Sequence, residues 1–120
     1  MQDDIRGHEA ELARKERELG REHRDVADCL SNIAILHNQV GAPQKAQPLY
    51  ERALAIFEAS EGAMSQEVAH TLTDLAVLHL EAGRDAIGRP LLERALDIQR
   101  QNLGESHPDV VAIQDVLNGD

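Results

Sequence analysis

The apolar positions of this chain fall in short helical stripes, and the stripes recur. Val26, Leu30, Ile33, Ala34 and His37 fall at helical spacing, and Gly41 follows. A second stripe, Ala46, Leu49, Tyr50, Ala53, Leu54 and Phe57, stops before Gly62. Further on, Val68, Leu72, Leu75, Ala76 and His79 precede Gly83, and Leu91, Leu92, Ala95 and Leu96 follow it. Each pair of stripes predicts helix, turn, helix, with Gly41 and Gly83 where a left-handed residue closes the first helix. Alternating runs bounded by turn residues are absent and aromatic residues are sparse, so no strand competes.

Laid on itself at a shift of 42, the chain aligns 19–60 with 61–102 without a gap, and 15 of the 42 pairs are identical. "PLYERALAI" and "PLLERALDI" are the longest matching run, and a third copy starts at Leu103–Gly104. The register predicts one domain over residues 1–120: an N-terminal helix (1–18), repeat 1 (19–60), repeat 2 (61–102) and a C-terminal half-repeat (103–120).

Boundary signals refine this. Ser65 and Asp85 are expected to cap the helices that follow them, and Pro108 falls in a first turn, where proline is tolerated. Pro48 and Pro90 sit about one turn inside their helices, where each removes one backbone bond. The last helix, about 108–118, has Gln114 and Asn118 where the repeats have leucine and alanine, which reads as a cap on the array. Residues 3–18 align with a second helix that lacks its first partner. Ile5, Leu12, Leu19 and Val26 lie seven apart, but one heptad stripe does not make a coiled coil. The expectation is a solvated helix laid against repeat 1.

Charge changes the list of partners. The net charge is −10, from 22 acidic and 12 basic residues, and the first 25 residues hold eight acids against six bases. Most of the excess therefore lies beyond residue 25, where it repels phosphate backbones and anionic membranes. Neither nucleic acid nor membrane is expected as a partner. A single cysteine, Cys29, excludes an internal disulfide and the usual zinc frameworks. With no signal-like or membrane-length apolar run, a cytoplasmic protein is expected.

Catalytic and metal chemistry find no footing. His37 and His79 occupy equivalent repeat positions that packing explains, and His23 and His107 precede Arg24-Asp25 and Pro108-Asp109 at helix starts, where a turn-forming role is expected. His70 and Asp74, four apart, would supply only two ligands. Neither a nucleophile elbow, a zinc-protease helix nor a phosphate-binding glycine loop occurs. Cys29 lies on an apolar stripe without an activating basic neighbour. The chain is expected not to be an enzyme and to need no cofactor or metal.

The spaced small and large residues Ile33-Ala34, Gly41, Ala46, Tyr50 and Ala53-Leu54, with Leu75-Ala76, Gly83, Leu92 and Ala95-Leu96, resemble a tetratricopeptide repeat. The period, "LGESHPDVV" and "PLYERALAI" are similar to the 42-residue, kinesin-light-chain type. The sequence departs from that pattern at His37 and His79, where an aromatic is expected, and at Gly88, which replaces the small alanine represented by Ala46. The resemblance implies an all-α fold: a right-handed α-solenoid of antiparallel helix-turn-helix units, two full repeats and flanking half-repeats, about six helices. It also implies that the first helix of each hairpin lines a concave side. The residues then projecting there are Asp28, Ser31, Asn32, Ile35, Asn38 and Gln39 in repeat 1. In repeat 2 they are His70, Thr73, Asp74, Val77, Leu80 and Glu81, with Ala112 and Asp115 extending the line. Asn32 matches an asparagine that similar repeats use to hold a peptide main chain, and Asp74 replaces it in repeat 2.

Amides, a few apolar contacts and carboxylates are the chemistry of an extended-peptide groove. The expected function is a protein-interaction module or scaffold that binds a peptide or protein segment, with the carboxylates favouring a basic one. The alternative is a structural element that self-associates through its repeat ends, forming homo-oligomers through the N-terminal helix.

Overall fold

The computed structural model describes residues 2–119, which fold into six α-helices: α1 (Gln2–Leu19), α2 (Arg24–Gln39), α3 (Pro43–Glu61), α4 (Gln66–Glu81), α5 (Asp85–Leu103) and α6 (Pro108–Asn118). Among the described residues there is no strand, as the stripes predict. The chain divides into two compact units, residues 1–63 and 64–120.

In the first unit α2 packs against both α1 and α3. Val26, Ala27, Leu30, Ile33 and Ala34 of α2, Ala46, Tyr50, Ala53, Ile56 and Phe57 of α3, and Ile5 of α1 are buried. Alanines at the contact let the helix axes approach closely. The N-terminal helix lies on the repeat as expected: Ile5 is buried, Leu12 half-buried and Leu19 exposed. Glu16 of α1 accepts from Arg52 of α3 at 2.8 Å, and Arg21 approaches the same carboxylate at 3.5 Å.

The second unit repeats the hairpin with α4 and α5 and adds α6 against α5. Its core comprises Val68, Ala69, Leu72, Leu75, Ala76 and Leu78 of α4, Leu92, Ala95, Leu96 and Ile98 of α5, and Val110 and Ile113 of α6. Arg89 donates to the Leu117 carbonyl at 2.9 Å and Arg100 bonds the Gln114 amide oxygen, so two cations of α5 hold α6. Gln114, polar where the repeats have leucine, also reaches Asn118 at 3.4 Å.

Both hairpins close the same way. Gly41 and Gly83 adopt φ of +80° and +78°, which lets the following amide turn back to the helix: Ala42 N–H to the His37 carbonyl, and Arg84 N–H to the His79 carbonyl, each 2.8 Å. With Gly41 bonded to Asn38 and Gly83 to Leu80, this is the Schellman arrangement that satisfies otherwise unpaired carbonyls. Pro48 and Pro90 lie inside α3 and α5 as expected, and neither helix is broken.

The helix starts bring one correction and one addition. Ser65 caps α4, accepting from the Val68 N–H at 3.2 Å. Asp85 does not cap α5; it is the first helical residue, because the Schellman turn spends Arg84 as the flanking position and leaves no side-chain cap. Its carboxylate instead sits in the first turn, where the helix dipole favours negative charge. His23 and His107 are themselves the caps of α2 and α6, each accepting through Nδ1 from the amide two residues on at 3.1 Å.

Candidate functional site

On α2 the residues expected to project form an accessible strip: Asp28, Asn32, Ile35 and Gln39 are exposed, and Ser31 and Asn38 are half-buried. On α4, His70, Asp74 and Glu81 are exposed, and Thr73, Val77 and Leu80 are half-buried. The fold thus puts all twelve where solvent reaches them, while Leu30, Ile33, Leu72 and Leu75 of the same helices turn into the core. Helical periodicity makes this separation, since residues three and four apart share a face.

Within the second unit a cleft of about 440 Å³ opens between α4 and α6, floored by α5. His70, Thr73 and Asp74 line one wall, Asp109, Ala112 and Ile113 the other, and Gln99 lies at its base. Three of the expected residues of α4 and Ala112 are brought together here; Val77, Leu80 and Glu81 lie further along α4, outside the cleft lining. Leu80 has a packing role as well. A Cβ at Gly88 of α5 would lie 2.8 Å from its Cγ and 2.9 Å from the Ala76 carbonyl oxygen, so repeat 2 accommodates Leu80 by deleting the side chain that repeat 1 keeps as Ala46.

The polar groups of the cleft are unequal. Thr73 spends its hydroxyl hydrogen on the Ala69 carbonyl at 2.9 Å, so it faces the cleft only as an acceptor. Asp74 touches solvent, but the surrounding walls strip part of its hydration and raise its carboxyl above the ordinary value, against which the positive form of His70 pulls it down. Gln99 is 1% exposed, and its Oε1 has no hydrogen-bond partner. The lining residues include neither lysine nor arginine.

Gln99, Asp109 and Ile113 are not among the residues expected from the sequence. The signal for Gln99 is a contrast between the copies: it stands where repeat 1 has Phe57, which is buried at 3% exposure. Asp109 and Ile113 belong to the partial third copy, whose first helix forms the far wall.

Elsewhere the titratable side chains have structural settings. His79 is buried and its Nδ1 accepts from Arg84 Nε at 2.9 Å, a bond that needs the neutral ring. Cys29 is buried; lost hydration, reinforced by Glu11 and other carboxylates, raises its thiol above the usual value, the reverse of activation. Among the described residues no group of three or more His, Cys, Asp or Glu is placed to hold a metal, and no helix is long and apolar enough to cross a membrane.

Paired helices closed by periodic glycines, with a polar strip on each first helix, define a helix-turn-helix repeat protein. Two family models, both described as tetratricopeptide repeat, match residues 5–59 and 68–109. The chain belongs to the tetratricopeptide repeat family, in the all-α fold class and of the kinesin-light-chain-like type. Among solved structures it is similar to the crystal structure of BtubC (BKLC) from P. vanneervenii, with a TM-score of 0.85 and 27% identity. That likeness covers 96% of this chain and 46% of the BtubC chain, so the sequence spans less than half of that relative. No curated protein matches the sequence. Repeats of this family generally mediate protein–protein interaction.

Proposed function

We propose that the chain is an interaction module that binds an extended peptide or protein segment through the accessible strips of its first helices, each within its own unit: Asp28, Ser31, Asn32, Ile35, Asn38 and Gln39 of α2, and His70, Thr73, Asp74, Val77, Leu80 and Glu81 of α4. The observation that carries this reading is the cleft between α4 and α6, a concavity with acceptors at its walls and apolar Ala112 and Ile113 beside them. Few, convergent polar groups in a concave apolar setting are what orient a ligand. Side-chain amides such as Asn32 and Gln39 suit the main chain of an extended segment, which offers an N–H and a C=O at each residue. The excess of carboxylates favours a basic segment and, with the net charge of −10, disfavours nucleic acid and anionic membranes.

The test is selection of peptides from a random display library on the immobilised full chain, run beside the folded double variant Asn32→Ala, Val77→Glu. The expected result is a set of peptides enriched by the wild type and lost by the variant. Enrichment of the same peptides by both chains would overturn the reading.

A second reading, self-association through the repeat ends, is favoured by the exposure of Val111 (45%) and Val116 (47%) on α6 and Leu19 (41%) at the end of α1. It predicts a mass that rises with concentration in light scattering. A strict monomer at high concentration removes it.

A further inference from the structure

Gln99 is the one polar residue of the cleft that is fully buried, and its position is hard to explain by packing. Repeat 1 fills the same site with Phe57, so an apolar side chain suits the local backbone. Repeat 2 instead carries an amide whose oxygen lacks a partner, an arrangement that costs stability because the oxygen has given up water for nothing. Buried unpaired acceptors of this kind call for a partner from outside, and Gln99 lines an open cleft from which one can come.

The other lining groups fix what that partner offers. Asp74 and Asp109 contribute carboxylates, which only accept. Thr73 is limited to accepting by its bond to Ala69. Gln99 lies at the base of the cleft, and its amide oxygen is the acceptor there that lacks a partner. With neither lysine nor arginine among the lining residues, the carboxylates have imidazoles as neighbours, His70 beside Asp74 and His107 at 3.9 Å from Asp109. Acceptors on two walls and at the base are matched by a planar donor that reaches in several directions at once. A guanidinium has five N–H donors in such a fork, whereas an ammonium is a compact point charge. The three methylenes of an arginine would lie along Ala112 and Ile113.

We propose that this cleft is a receptor for an arginine side chain of the bound segment, with Asp74 and Asp109 holding the guanidinium and Gln99 accepting from it at the base. This rests on the reading of the cleft as part of a peptide-binding strip, and names the residue that anchors the peptide there.

The test uses the full chain and three labelled peptides, acetyl-Gly-Gly-X-Gly-Gly-amide with X as arginine, citrulline or lysine, titrated by fluorescence anisotropy. Citrulline keeps the shape and loses the charge. The arginine peptide is expected to bind at least about fivefold more tightly than either other peptide, since hydrogen bonds to a charged group carry most of the selectivity. Gln99→Met, checked for folding by circular dichroism, is expected to weaken arginine binding and leave the lysine peptide little changed, whereas Asp74→Asn is expected to weaken both peptides, arginine the more. Equal binding of arginine and citrulline, equal binding of arginine and lysine, or full arginine binding by Gln99→Met would each overturn the assignment. The two readings fail separately. Display peptides that depend on Val77 but lack arginine would sink only this inference, whereas a wild-type chain that selects no peptide sinks the underlying one.

Discussion

Asp74 carries opposing influences that a titration can separate. Partial loss of hydration raises its carboxyl above the ordinary value, and the positive form of His70, one turn earlier, lowers it. Carboxyl-detected NMR should therefore place the Asp74 midpoint above about 3.9, the value of an unperturbed aspartate, and His70→Gln should move it higher still. Because the folded state holds this proton more tightly than the unfolded chain, the Asp74 contribution favours folding at acid pH and is lost as pH rises through its folded midpoint. A midpoint at or below the unperturbed value would contradict the local picture. Gln99 makes the complementary prediction for stability. Replacing its amide with the thioether of Gln99→Met removes an unpaired buried acceptor at nearly constant shape, and should stabilise the chain by about 1 kcal/mol in urea unfolding. A destabilised variant would mean that the amide is satisfied in solution.

At the scale of the helices, the two copies differ where packing differs. Gly88→Ala gains helix propensity but drives a Cβ against Leu80 and the Ala76 carbonyl, and backbone oxygen yields little. The expected net loss is about 1–2 kcal/mol by thermal or urea unfolding, with a smaller increment in the Leu80→Ala background because part of the clash is gone. Ser65→Ala should cost about 1 kcal/mol through loss of the α4 cap, whereas Asp85→Ala, which removes no cap, should cost less. The helices were legible in the sequence because their apolar stripes and closing glycines repeat, and two copies of a weak local signal reinforce each other. The α5 start was less so: Asp85 has the chemistry of a cap, but the Schellman turn that places it inside the helix is a backbone arrangement. The caps made by His23 and His107 were hidden because histidine signals no single role by type.

For the whole molecule, the legible part of the candidate site is the part that periodicity determines. Which residues of α2 and α4 reach solvent follows from residue spacing, and all twelve do. The cleft itself was not legible, because its far wall comes from a third, partial copy and its base from a residue of α5, so it exists only once three helices are assembled. A glutamine in an apolar stripe carries no meaning until the empty space beside it is known. The net charge of −10 adds a prediction that no single residue makes: binding of a basic segment should weaken as salt rises from 0.05 to 0.5 M, with on-rates falling more steeply than off-rates rise. Salt-independent kinetics would show that charge plays no part in recognition.

The central claim is that the strips on the first helices receive a peptide. Its most direct test is ¹⁵N chemical-shift mapping of the full chain titrated with a display-selected peptide. The account predicts saturable shifts at Asn32, Ile35 and Gln39 of α2, at Thr73, Asp74 and Val77 of α4, and at the Gln99 side-chain amide. Shifts concentrated instead on exposed positions of α3 and α5, or at Leu19 and Val116, would contradict it.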